Sequence, residues 1–267
     1  MTILTLTTDF GLDDWYVAAV KAVILARAPG TTLVDVTHTL PPGDVEGAAF
    51  QVGAASRFFP AGTVHLAVVD PGVGSERRIL AGGARGGWFV APDNGLLTAV
   101  LGTDGEEAAE VRAVERADLW LDYPGATFHG RDRFAPVAAW LLAGGDLAAL
   151  GPEIDDPVRL AIAPPRRSTR GDRLDGRVVH VDRFGNLVTD LPTPWLEEGE
   201  WVVELTPAGG ERHGTSHRAT HYREIPSGEA AVLPGSLGTL ELALDGDSLA
   251  RRWGAGRGAP VTARRLR

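Results

Sequence analysis

Ile3-Leu4-Thr5-Leu6-Thr7-Thr8-Asp9-Phe10-Gly11 and Thr63-Val64-His65-Leu66-Ala67-Val68-Val69-Asp70-Pro71-Gly72 share one pattern: a short apolar run that ends in an aspartate and a glycine turn. Each reads as a buried strand, over residues 2–8 and 63–69. A helix is predicted between them from about Asp14 to Ala28, with Val17, Val20, Val23 and Ile24 at helical spacing. Asp13 and Asp14 suit its first turn, and Pro29-Gly30 ends it. A strand over Thr32–Val36 and a helix over Ala48–Phe58 follow. Beyond Asp70 come a strand at Trp88–Ala91, a turn at Asp93-Asn94-Gly95 and a helix over Arg133–Ala143. Strands alternating with helices predict an α/β domain with a mainly parallel sheet. Ligands in such sheets lie beyond the carboxyl ends of strands, where Asp9 and Asp70 both fall.

The character changes at Pro164-Pro165-Arg166-Arg167-Ser168-Thr169-Arg170-Gly171, a polar, turn-rich stretch that reads as a linker. Short strands follow at Gly176–Val181, Leu187–Asp190, Trp201–Leu205, Ala231–Leu233, Gly238–Leu244 and Val261–Arg264. They predict a small, barrel-like β domain. The expected organisation is an N-terminal, Rossmann-like α/β domain over 1–165 and a smaller C-terminal β domain over 172–267.

A chain of 267 residues with 44% hydrophobic and 23% charged residues is ordinary globular material. It has no cysteine, which removes disulfides, thiolate metal sites and thiol nucleophiles. The net charge of −9 argues against nucleic acid, whose phosphates want a basic face. No apolar run approaches the ~18 residues of a membrane span, and no signal pattern opens the chain, so the expectation is a cytoplasmic protein.

Four segments carry candidate chemistry: Thr7–Asp14, Val69–Arg78, Thr127-Phe128-His129-Gly130-Arg131-Asp132, and Asp182-Arg183-Phe184-Gly185-Asn186. Asp70, on a tight turn, can accept hydrogen bonds, hold a metal or simply cap its turn. Arg77 is close enough in sequence to fold back on it, or to form a surface ion pair. His129 can be a catalyst or a structural hydrogen bonder. No dinucleotide fingerprint, P-loop or nucleophile elbow is present. Asp9, His38, Asp70, His129 and Asp132 could form a metal site on paper, but without a known ligand spacing. His213, His217 and His221 recur every four residues, yet Gly214 and the Thr-Ser-rich context favour a loop. The expected metal content is none.

Together the four segments resemble the S-adenosyl-L-methionine (SAM) hydroxide adenosyltransferases, relatives of SAM-dependent fluorinases and chlorinases. The resemblance runs from Thr7 to about Asp245. Asp70-Pro71-Gly72-Val73-Gly74 and Phe128-His129-Gly130-Arg131-Asp132 carry it best. It implies a water-activating set of Asp70, Arg77 and His129, with Asp9 on the ribose hydroxyls and Asp14 near the methionine amino group. It further implies Asp182 as a methionine contact, Phe184 as a packing partner (as Phe128 would be in the first domain), Asn186 as an adenine contact and Tyr222 stacked on adenine. Leu233-Pro234-Gly235-Ser236 and Leu240-Glu241-Leu242-Ala243 match a carboxylate- and adenine-binding stretch, with Ser236 and Glu241 as its polar members. The implied assembly is a homotrimer with sites at subunit interfaces. SAM is then the substrate, adenosine a product, and no cofactor is expected.

The halogenase branch carries an aromatic residue at the position of Asp70, and fluorinases a serine at that of Gly130. A carboxylate ~4 Å from a halide would repel it by about 4 kcal/mol at an effective dielectric near 20, so the residue types point to hydroxide. The same carboxylate can accept a hydrogen bond from water. Water has a pKa of ~15.7 and must be activated. Arg77 can stabilise developing hydroxide, and Asp70 or His129 can take the proton. Three other readings stay open: a halide adenosyltransferase, a non-catalytic adenosine or SAM sensor, and a metal-dependent hydrolase using Asp9, Asp70 and His129. The sulfonium epimer is open too, with the R form a candidate.

Overall fold

Leu66 and Val68 enter one apolar cluster, while their neighbours Ala67 and Val69 enter another. That period of two is what a strand covered on both faces requires. The computed structural model describes residues 2–102, 110–123, 126–196 and 199–266. The chain divides into two units, Met1–Ala161 and Ile162–Arg267.

In the first unit, the described residues form β1 (Ile3–Thr8), β2 (Thr32–Thr37), β3 (Val64–Val68), β4 (Ile79–Ala84), β5 (Gly87–Pro92) and β6 (Glu110–Ala113). They make one sheet in the order β2-β1-β3-β5-β4-β6. The first three pairings are parallel and the last two antiparallel. Helices α1 (Tyr16–Arg27) and α3 (Ala135–Leu142) share one apolar cluster with Leu4, Leu6, Leu66 and Val68. Helix α2 (Val45–Ala55) contributes Ala48 and Val52 to the other cluster, with Ala67, Val69, Phe89 and Leu97. Thr8 is in register with Val68, and Thr7 with Thr37. Asp9, His38 and Asp70 therefore all follow the carboxyl ends of three adjacent parallel strands.

Three helix boundaries differ from the sequence reading. Helix α1 starts after Trp15, so Asp13 and Asp14 precede it and no acidic residue occupies its first turn. Helix α2 starts earlier than expected because the Asp44 carboxylate caps it, accepting from Gly47 N at 3.0 Å. Residues 56–58 continue it only as a 3₁₀ turn. The helix expected from Arg133 is preceded by a π-helical turn over Gly130–Phe134, a feature frequent at functional sites.

The second unit is antiparallel. Its strands are β7 (Arg166–Arg167), β8 (Arg173–Val181), β9 (Leu187–Pro192), β10 (Trp201–Leu205), β11 (His213–Thr215), β12 (Ala230–Pro234), β13 (Thr239–Leu244) and β14 (Pro260–Arg265), with the short helix α4 (Leu249–Trp253). The order is β11-β10-β14-β8-β9-β13-β12, and β7 pairs with β8. Val232 N donates to His217 O at 2.9 Å and Ala219 N to Val232 O at 3.0 Å, so β12 nearly closes the sheet against the segment after β11. Trp201, Leu174, Leu187 and Leu242 fill the interior. The stretch read as a linker is thus partly strand: Arg166 and Arg167 pair with Asp175 and Leu174. Among the described residues no helix is long and apolar enough to cross a membrane.

Candidate active site

The turn after β3 builds the core of the site. Val73 N donates to Asp70 O at 3.1 Å, and Ser75 N to Gly72 O at 3.1 Å, which doubles the chain back. Arg77 is thereby returned to Asp70. Its Nε donates to Asp70 Oδ1 at 2.7 Å, and its Nη2 to Asp70 Oδ2. The same Nη2 lies 3.0 Å from His129 Nδ1. The Asp70 and Arg77 side chains are only 6% and 9% exposed, and His129 is 2% exposed. The guanidinium rests 5.1 Å from the Phe134 ring centroid. The bland alternative of a surface ion pair for Arg77 is therefore set aside: the pair is buried and bidentate.

This pattern assigns the histidine tautomer. An arginine can only donate, so His129 Nδ1 accepts and Nε2 carries the proton. Burial, followed by the nearby charges of Arg133 and Arg77, holds the imidazole pKa below its ordinary value. A neutral ring with a fixed Nε2–H is the result. Two buried donors of the set, Arg77 Nη1 and His129 Nε2, have no partner among the described residues. Such orphans are costly unless a ligand or water accepts from them.

A cleft of about 380 Å³ lies against these groups, lined by Asp9, Phe10, Gly43, Asp70, Phe128 and His129 among others. Arg77 is not on its wall and supports Asp70 and His129 from behind. Asp9 is fixed at the end of β1, where its Oδ2 accepts from Gly43 N at 2.7 Å. Gly11 closes this turn with φ +71°, a conformation that favours glycine. The Phe128 ring packs against Phe10, Trp15 and Tyr16 at 5.7, 5.6 and 5.1 Å. A Cβ on Gly130 would stand 3.0 Å from Phe10 and 3.3 Å from Phe128, so a larger residue there would press on the aromatic wall. Asp14 is exposed and is not among the lining residues.

In the second unit, Asp182, Phe184, Asn186 and Tyr222 line a cleft of about 590 Å³. Asp182 organises its own turn: Oδ1 accepts from Phe184 N and Asn186 N at 2.9 Å each, and Oδ2 from Asn186 Nδ2 at 2.9 Å. That turn leaves the Phe184 ring 76% exposed. Glu241 is buried behind Tyr222, whose hydroxyl donates to its Oε1 at 2.6 Å. Burial raises the Glu241 pKa, while burial and Glu241 push the Tyr222 phenol up. Ser236 is exposed in the turn between β12 and β13 and is not among the lining residues.

The sequence reading missed Trp15, Tyr16 and Phe134, which look like helix-face apolar residues, and Asp247, Ser248 and Arg251, which join Tyr222 at the second cleft. Among the described residues no three His, Asp or Glu side chains converge as metal ligands. Asp132 binds Arg131 at 2.6 and 3.0 Å, and His38 turns toward Thr8 and Asp35. His213 stacks on Trp253 from β11, while His217 and His221 meet Glu229 and Glu224. The electrostatic case against halide also weakens. Asp70 is not a lone carboxylate, because Arg77 offsets its charge.

Two family models match in order: the SAM hydroxide adenosyltransferase N-terminal domain over residues 4–151 and the C-terminal domain over 176–262. A relative from Thermus thermophilus named (R)-S-adenosyl-L-methionine hydrolase is 42% identical over 95% of this chain and 96% of its own. One of the same name from Salinispora tropica is 39% identical over 91% and 90%. A protein from Actinoplanes sp. named fluorinase is 34% identical over 73% and 74%. A solved structure of an uncharacterized conserved protein from Thermotoga maritima superposes with a TM-score of 0.86 at 33% identity, covering 98% of this chain and all of that one. With both domain models matched and full-length relatives at this identity, the chain belongs to the SAM hydroxide adenosyltransferase family.

Proposed function

We propose that this enzyme hydrolyses (R)-S-adenosyl-L-methionine to adenosine and L-methionine. A water-derived hydroxide forms a bond to the ribose 5′ carbon as the C5′–S bond breaks, and the electron pair leaves with sulfur as a neutral thioether. The sulfonium is its own leaving group, so the chemistry calls for neither an acid at sulfur nor a cofactor.

The observation that carries this reading is the buried Asp70–Arg77–His129 set with two unsatisfied donors. His129 Nε2–H can hold an oxygen that is gaining negative charge, and the Arg77 guanidinium behind it stabilises that charge. His129, with its proton fixed on Nε2, is a donor and not the base. Asp70 lines the cleft, and each of its oxygens keeps a lone pair beyond the one given to Arg77, so it takes the water proton. Hydroxide and sulfonium neutralise each other along the path, which the aromatic wall of Phe10 and Phe128 favours by excluding water. Asp9 meets the ribose hydroxyls. Asp182, Phe184, Asn186 and Tyr222, with Glu241 and Ser236, serve adenine and methionine, and Asp14 the methionine amino group. The reading includes a homotrimer in which the β unit of a neighbouring subunit supplies those contacts.

A donor backed by a guanidinium also suits a small halide, so the test must separate the nucleophiles. Incubation with each sulfonium epimer, with and without chloride, should give adenosine and methionine from the R form alone. Chlorinated adenosine as the main product would replace this reading with a halide adenosyltransferase. Tight adenosine retention without turnover would replace it with a sensor.

A further inference from the structure

The segment that carries Asp9 is anchored from both sides by one residue outside the cleft. His38, on the chain just after β2, is almost fully buried. Its carbonyl accepts from Gly11 N at 2.8 Å, and its Nδ1 lies 2.8 Å from Thr8 Oγ1. Thr8 Oγ1 in turn accepts from Phe10 N at 3.3 Å. Residues 8, 10 and 11, which flank Asp9, are therefore tied to His38 directly or through one hydroxyl. Behind the ring, Nε2 stands 3.1 Å from Asp35 Oδ1, and Asp35 Oδ2 accepts from Lys21 Nζ at 2.6 Å. The carboxylate beside Nε2, although off hydrogen-bond geometry, favours the proton there and leaves Nδ1 to accept from the Thr8 hydroxyl. Thr8 Oγ1 then has one donor arriving and one proton leaving, a relay between Phe10 N and the imidazole.

We infer that His38 is a positioning residue for the Asp9 carboxylate and so sets recognition of the sugar hydroxyls. The inference rests on the reading above that Asp9 meets the ribose. His38 is not on the wall of the cleft, so it acts through the backbone around Asp9 and touches no substrate. The Asp9 carboxylate itself is tied by Gly43 N, which donates to its Oδ2. Loss of the His38 ring would leave Gly11 N on the residue 38 carbonyl and Asp9 Oδ2 on Gly43 N, but would free the Thr8 hydroxyl that accepts from Phe10 N.

The test is a comparison of dissociation constants for adenosine and 2′,3′-dideoxyadenosine. It uses the wild type and the variants Asp9→Ala, His38→Ala, His38→Asn and Thr8→Val. Wild type should prefer adenosine, and Asp9→Ala should erase that preference. His38→Ala and Thr8→Val should shrink it roughly tenfold, the worth of one hydrogen bond to a charged group, with dideoxyadenosine affinity unchanged. His38→Asn, whose amide oxygen can stand where Nδ1 stood, should restore most of it. A merely structural role would weaken both nucleosides alike, and that result overturns the inference. So does full preference in His38→Ala and Thr8→Val. If His38→Ala does not fold, Thr8→Val and His38→Asn decide in the same way. A wild type indifferent to the hydroxyls removes the assignment of Asp9 itself, and this inference with it.

Discussion

Arg77→Lys keeps the charge at the centre of the site and removes its geometry. In the structure the guanidinium makes three bonds: Nε and Nη2 to the two oxygens of Asp70, and Nη2 to His129 Nδ1. An ammonium on a flexible stem can replace one of the bonds to Asp70 and cannot reproduce the fork. Each hydrogen bond to a charged group contributes about 1.5–3 kcal/mol, so losing two puts the stability cost at about 3–6 kcal/mol before water repairs part of it. For a chain of this size that corresponds to a melting temperature lower by roughly 6–24 °C. The catalytic effect should be larger than the structural one. Without the Arg77 donor, His129 is free to move its proton to Nδ1, and its Nε2 then presents a lone pair to the nucleophile. Loss of one aligned donor at a developing oxyanion costs roughly 100-fold or more in kcat. Adenosine affinity should stay within about threefold, because Arg77 is not on the wall of the cleft. Chromatographic release of adenosine gives kcat, titration calorimetry gives the affinity, and scanning calorimetry gives the melting point. An Arg77→Lys enzyme that folds and keeps a third or more of wild-type kcat would refute the reasoning.

Other consequences follow from buried side chains. His65 is stacked on Phe89 and bonded to Thr5 Oγ1 at 2.8 Å, and burial pushes its pKa from 6.5 to about 4. The unfolded chain therefore binds the extra proton between those values, and folding stability should fall by about 3 kcal/mol as pH drops from 6.5 to 4; His65→Phe should flatten that part of the stability profile in denaturant titrations, and an unchanged slope would count against a buried neutral ring. Burial also lowers the His129 pKa, so any loss of kcat from its protonation should be centred below 6.5, and a drop centred at or above 6.5 that disappears in His129→Gln would contradict the assignment. Tyr222→Phe leaves the buried Glu241 carboxyl without its donor; stability should fall by about 1 kcal/mol, since half-exposed Tyr222 leaves room for water, and adenosine affinity by a few-fold. Equal affinity in Tyr222→Phe would separate Glu241 from the nucleoside site.

Much of the architecture was legible because the decisive strands are local. The apolar runs before Asp9 and Asp70 are long enough to read, and β10 begins and ends at the expected residues, Trp201 and Leu205. Strand β4 was not legible: its Gly82-Gly83 pair has poor strand propensity, and it is held by antiparallel partners on both sides. Helix α4 is five residues long and depends on its Ser248 cap, too short for a periodic signal. The π-helical turn was missed because its extra residue leaves no mark in the apolar pattern. At the site, seven residues separate Asp70 from Arg77, and a Pro-Gly turn suggests the return. The link to His129 spans 52 residues and comes only from packing α3 on the sheet. Pairing also changed the chemistry read from Asp70, since a lone carboxylate and a carboxylate gripped by arginine act differently toward halide.

The most direct test is a single turnover of (R)-S-adenosyl-L-methionine in water enriched with oxygen-18, followed by mass analysis of both products. The account predicts one labelled oxygen, at the 5′ hydroxyl of adenosine, and none in methionine. Label at the ribose 1′ position, or in a four-carbon amino acid fragment cleaved from the methionine side, would contradict attack at the 5′ carbon.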